Sequence, residues 1–68
     1  MTYAIFKNEG TLVGGKIRSR KVVGHKICGD FPSVNAAREW WYDADMGNGN
    51  QMIVLPASTP EHSYYPAL

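Results

Sequence analysis

Two short segments of this chain are apolar on both sides, and that constrains the fold more than any other feature. Successive side chains of a strand point to opposite faces. Tyr3-Ala4-Ile5-Phe6 therefore sets Tyr3 and Ile5 on one face and Ala4 and Phe6 on the other. Met52-Ile53-Val54-Leu55 does the same, with Met52 and Val54 against Ile53 and Leu55. The chain has one good helical segment, and one helix covers one face of a sheet. The second face must be covered by something else, or it remains an exposed apolar patch of the kind that marks an interaction site. The Tyr64-Tyr65 tail, a second copy of the chain and a different protein are the three candidates.

Sixty-eight residues make one domain. A chain this short buries about 60% of its unfolded surface and has little room for a deep active-site cleft. Hydrophobic residues at 44% and charged residues at 19% fit a globular protein and not a disordered one. Cys28 is the single cysteine, so no disulfide can form within the chain, which points to a reducing compartment. The start, MTYAIFKNEG, lacks the pattern of a signal peptide. The apolar run Met52–Leu55 is far too short to span a bilayer. A cytoplasmic protein without membrane contact is expected.

The elements follow from pattern. Tyr3–Phe6 reads as a strand, and Asn8-Glu9-Gly10 as a turn. A second strand runs from about Thr11 to Ser19, with a bulge or sharp twist at Gly14-Gly15. Arg20-Lys21 is a turn before a third strand, Val22–Cys28; one long bent strand from Lys16 to Cys28 is the alternative. Ser33 is placed to cap a helix over Val34–Asp45. On it Val34, Ala37, Trp41 and Ala44 share a stripe, and Gly47 takes the left-handed position that ends it. Gln51–Leu55 is the last strand, stopped by Pro56. This order, β-β-β-α-β, predicts an α+β fold. A small antiparallel sheet of three to four strands carries one helix on one face. Residues 1–56 form the domain and 57–68 an irregular C-terminal tail.

Charge is sorted along the chain. Residues 1–29 hold six bases and one acid, a sum of +5, and residues 30–68 hold one base and five acids, a sum of −4. No acid occurs from Gly10 through Gly29, where Lys16, Arg18, Arg20, Lys21 and Lys26 lie. On a strand Lys16, Arg18 and Arg20 project from one face about 7 Å apart. Such a row suits an acidic protein surface or a phosphate backbone. It also suits a solvated strand whose charges guard against edge-to-edge pairing. The pI near 7.9 lies below that of a dedicated nucleic-acid binder, and the segment matches no RNA-recognition consensus, GXXG loop or paired-helix reader.

The other motifs are weaker. In Trp40-Trp41-Tyr42, adjacent helix positions diverge by about 100°. Trp41 is therefore expected in the core, Trp40 at the edge of the apolar stripe and Tyr42 outward, one turn from Arg38. Tyr, Trp and Arg dominate binding hot spots. Glu39 and Asp43 are four apart, but no nucleophile accompanies them, so no catalytic residue is assigned. His25, Cys28, Asp30 and His62 lack the two tight ligand pairs of a structural zinc site, and no metal or other cofactor is expected. Gly47-Asn48-Gly49-Asn50 follows a helix and is not a phosphate loop.

In the character of the whole chain, short and without an enzymatic motif, the protein resembles the small phage-encoded anti-defence proteins, anti-CRISPR proteins among them. No specific residue carries that likeness. It implies a cytoplasmic, non-enzymatic inhibitor that occludes a surface of a larger protein or nucleoprotein complex, in the host cytoplasm if phage-encoded. The residues themselves point to a protein-binding module. Its docking surface comprises Lys16, Arg18, Arg20, Lys21 and Lys26 with Trp40 and Tyr42, and its partner offers an acidic surface. A nucleic-acid binder using basic strands 16–26 on phosphates is the alternative. A homo-oligomer joined through the open sheet face is a further one.

Overall fold

Two long strands carry this fold. The computed structural model describes residues 1–14 and 17–66 and, within them, every side chain but those of Ile17 and Arg18. Strand β1 (Tyr3–Gly14) and strand β2 (Ile17–Phe31) pair antiparallel from Tyr3↔Phe31 at the base of the hairpin to Gly14↔Ile17 near its tip. Helix α1 (Val34–Asp43) and a single 3-10 turn (Gly49–Gln51) lead to strand β3 (Met52–Pro56). Strand β4 (Ser63–Tyr65) follows. β3 pairs with the base half of β1, from Tyr3↔Pro56 to Lys7↔Met52. β4 pairs with the middle of β2, from Lys21↔Tyr65 to Val23↔Ser63. The sheet order is β3-β1-β2-β4, antiparallel throughout.

The α+β class, the four-stranded antiparallel sheet and the single helix are as expected. The element order is not: it is β-β-α-β-β. Asn8-Glu9-Gly10 has turn chemistry, but here that chemistry makes a bulge inside β1. Between Asn8↔Val23 and Thr11↔Lys21, β1 spends one residue more than β2. Gly10 takes φ 116, and its N–H donates to Asn8 Oδ1 at 3.0 Å. A left-handed glycine and an Asx bond serve a bulge as well as a turn. Arg20-Lys21 does not turn either, so the single long strand is the form adopted. The expected bulge at Gly14-Gly15 falls partly outside the described residues. Part of the expected irregular tail is ordered, because Ser63–Tyr65 forms the edge strand β4.

The helix starts where expected. Ser33 Oγ accepts from the Ala36 N–H at 3.1 Å. It ends two residues early, and the left-handed residue that closes it is Asp45 (φ 54); Gly47 has positive φ as well (131) but lies two residues beyond that cap. The Met46 N–H donates to Trp41 O at 3.2 Å and the Asp45 N–H to Tyr42 O at 3.1 Å, the paired bonds of a Schellman motif. Asp tolerates this conformation because its short polar side chain can bond locally.

Both sheet faces are buried within the single chain. On one face α1 lies across β1, β2 and β3. There Ile5, Ala37, Trp41 and Met52 form a buried cluster flanked by Ile27, Phe31, Trp40 and Val54. Trp41 Nε1 donates to Gly47 O at 3.0 Å and to Asn48 O at 3.2 Å, which ties the loop after the helix to its core. Val34, expected on the buried stripe, is exposed, as is Ala44. On the opposite face Ala4, Phe6, Val23, Ile53 and Leu55 form a second buried cluster, with Ala57 packed against it. β3 and β4 lie on opposite edges, so the segment joining them must cross β1 and β2, about 14 Å at three strand spacings. Residues 57–62 make that crossing as a strap. The Ala57 N–H donates to Thr2 O at 3.0 Å, and the His62 N–H reaches Gly24 O at 3.2 Å. The cover for the second face is therefore the chain's own polar segment. The five residues beneath it are at most 6% exposed in the single chain, so the face expected to lie open is covered there without the Tyr64-Tyr65 pair.

Candidate functional site

The hairpin outgrows its supports. β3 pairs with β1 no farther than Lys7, and β4 pairs with β2 no farther toward the tip than Lys21. Beyond Thr11↔Lys21, from Leu12↔Arg20 to the tip, β1 and β2 form a two-stranded arm with no further strand beside it among the described residues. Thr11 to Gly14 alone is about 10 Å of extended chain. The molecule measures 38 × 25 × 17 Å along its principal axes.

Strand alternation assigns the faces of the arm. Val23 belongs to the cluster under the strap, so Lys21, with its partners Thr11 and Tyr65, lies on the strap side. Arg20 and Val22, with their partners Leu12 and Tyr64, lie on the helix side. That row lies on the helix-bearing face, outside the cluster that packs under α1. Leu12 is 47% exposed, Val13 73% and Tyr64 50%, so the arm and its root present apolar as well as basic groups to solvent. Arg20 is half-buried and Lys21 exposed.

The arm's charge is not neutralised by the chain among the described residues. The ion pair there is Lys7 Nζ to Glu9 Oε1 at 3.7 Å, both half-exposed. It joins the one acid of the basic half to a base of β1 and leaves Arg20, Lys21 and Lys26 without a carboxylate partner among those residues. Asp30 occupies a bulge at the base, with φ 35, between Ala4↔Gly29 and Tyr3↔Phe31. Glu39, Asp43 and Asp45 sit on or just beyond α1.

The residues expected to form one docking surface divide into groups. Arg20 and Lys21 stand at the root of the arm. Arg18 lies in β2 within the arm, its side chain outside the described residues, and Lys16 lies outside them altogether. Lys26 belongs to the body: its Cε lies so near Gly29 that a Cβ there would sit 2.7 Å from it, so the side chain runs toward the base. Trp40 stacks on Phe31 at 5.8 Å between ring centroids and 52° between planes, as part of the helix-side core. Tyr42 is exposed, and its ring lies against Gly49 of the 3-10 turn. Phe31 and Arg20 stand eleven positions apart on β2, about 35 Å of extended chain. The aromatic helix edge and the basic arm are thus two places.

Sequence reasoning missed Leu12 and Val13 as surface groups. Their signal is two adjacent apolar residues beside glycines, in a stretch with no acid and no second apolar strand to bury them. Tyr64 and Tyr65 were legible as an apolar pair but not as neighbours of Val22 and Lys21. Among the described residues there is no pocket, no group of three His, Cys, Asp or Glu side chains that stand together, and no helix long and apolar enough to cross a membrane. No family model, no curated protein and no solved structure matches the chain.

Proposed function

We propose that the protein is a small non-enzymatic binding module that docks through the arm onto an acidic protein surface and acts by occluding it. The observation that carries this reading is the pairing of properties on one projecting ribbon. Its cations have no internal partner among the described residues, and Leu12 and Val13 are exposed beside them. The cations steer encounter and set register, and the apolar side chains supply burial that a phosphate backbone would not reward. With the whole-chain likeness to phage anti-defence proteins, the target would be a large host assembly. One observation favours a second reading. A two-stranded ribbon fits the major groove of DNA, and the arm's bases would meet phosphates there.

The test compares the wild-type chain with the Arg20→Glu/Lys21→Glu double variant in capture from nuclease-treated lysate of the native host. A protein retained by wild type, lost by at least tenfold in the variant, and recovered despite nuclease is the expected result. Equal capture by both chains removes the arm from the reading. Gel shifts with random single- and double-stranded oligonucleotides run alongside. Micromolar, steeply salt-dependent binding there would transfer the function to nucleic acid.

A further inference from the structure

The arm has an unused edge, and its chemistry selects what fits. β1 is covered by β3 along Tyr3–Lys7 only. Beyond that point its outer edge runs on through Thr11-Leu12-Val13, all exposed, with no backbone partner on that side among the described residues. An uncovered strand edge offers alternating N–H and C=O groups and is a template for another strand. The 3-10 turn marks where the body stops, with Asn8 Nδ2 donating to Asn50 O at 3.0 Å. On the far edge, the chain itself shows that a short strand suffices at this level, because the three residues of β4 add to β2 opposite Lys21–Val23.

Resting on the reading of the arm as a docking surface, we infer that its mode is strand addition: an extended acidic segment of the partner protein pairs with the outer edge of β1 at Thr11–Val13. Charge decides the occupant. A second copy would bring its own arm edge to edge, and since no acid occurs from Gly10 through Gly29 it would offer Arg20 and Lys21 no carboxylate, only a second row of cations three strand spacings, about 14 Å, away. The chain's own acids do not fit the edge either: Glu39 and Asp43 are helical, Asp30 and Asp45 have left-handed backbone, Glu61 lies in a turn and Glu9 is paired with Lys7. A strand added beside β1 lies about 10 Å from β2, two strand spacings away. That is within the joint reach of a glutamate on the newcomer and a long cation on β2. On the helix side such a glutamate passes Leu12 to meet Arg20, and on the strap side it passes Thr11 to meet Lys21. Main-chain bonds supply affinity in this mode and side chains supply selection.

The experiment uses the full chain and a capped heptapeptide alternating glutamate and valine. A control peptide of the same sequence is N-methylated at alternate residues, which removes the donors along one edge and keeps the charge. Binding is read by fluorescence anisotropy, and amide exchange by NMR. The expected result is binding of the plain peptide with slowed exchange at Thr11–Val13, weakened at least tenfold by N-methylation and at least tenfold by Arg20→Glu/Lys21→Glu. Equal binding of plain and methylated peptides overturns strand addition but leaves charge docking standing. Binding that the double variant does not weaken, or no binding of either peptide, overturns the inference as well. Exchange at Thr11–Val13 that slows with concentration of the chain alone, without peptide, assigns the edge to a second copy instead.

Discussion

Replacing Phe6 by alanine tests whether the sheet is closed by its own strap. Phe6 is 0% exposed and sits on the face away from the helix, with Ala4, Ile53 and Leu55 around it. The substitution removes six ring carbons from a site with no solvent contact. The transfer loss for a fully buried phenylalanine is about 1.5–3 kcal/mol, and with the cavity left behind measured Phe→Ala changes in cores cost about 3–5 kcal/mol. A folded domain of this length has roughly 3–10 kcal/mol in total, at about 0.05–0.15 kcal/mol per residue. Phe6→Ala should therefore consume a third or more of the stability, and Phe6→Leu, which keeps most of the volume, about 1 kcal/mol. Phe31→Ala, at a half-buried ring, should cost about half as much as Phe6→Ala, and Tyr42→Ala, on the surface, less than about 0.5 kcal/mol. The measurement is urea unfolding followed by Trp40 and Trp41 fluorescence at low micromolar concentration, with sedimentation velocity on the same samples. A loss below about 1 kcal/mol for Phe6→Ala, with an unchanged slope against urea, would refute the closed face. So would a wild-type dimer that this substitution takes apart.

Two further changes probe the local physics. Asp45→Gly should stabilise the chain by about 0.5–1 kcal/mol, because glycine takes the left-handed C-terminal position without side-chain strain. It also removes a negative charge from the negative end of the helix dipole. The Tm should rise by several degrees, and an unchanged or lower Tm would show that the aspartate is held by something other than the cap. Gly24→Ala should cost about 1–3 kcal/mol by overpacking. A methyl there would sit 3.1 Å from Lys7 Cβ and 2.8 Å from Glu9 Oε1. The glutamate can swing aside but the lysine's root cannot, so a neutral result in the same urea assay would contradict the close approach of β1 to β2.

The sequence carried the strands as far as local pattern reaches. Double-sided apolar runs at Tyr3–Phe6 and Met52–Leu55 predicted two buried strands and a need for two covers, and both covers exist. The nature of the second was hidden, since residues 57–62 are mostly polar and Ala57 alone packs on the core. Their role comes from the separation of β3 and β4 to opposite edges, a non-local fact. The bulge at Gly10 was hidden for a different reason: Asn-Glu-Gly encodes a left-handed glycine beside an Asx bond, and only the pairing partner decides between a turn and a bulge. Ser63–Tyr65 is too short to have a period, and its strand state is set by Lys21–Val23. The basic run was plain in the sequence. That Lys26 folds toward the base while Arg20 and Lys21 stand at the root of an arm depends on where β3 and β4 stop.

The strap has a consequence for synthesis. A ribosome delivers Phe6 roughly fifty residues before Ala57, an interval of about 3–10 s at 5–20 residues per second. Through that interval the nascent hairpin can be roofed on one side at most. The floor stays bare until the last stretch arrives, so a chaperone that binds aromatic segments has its window before Ala57 emerges and loses it soon after.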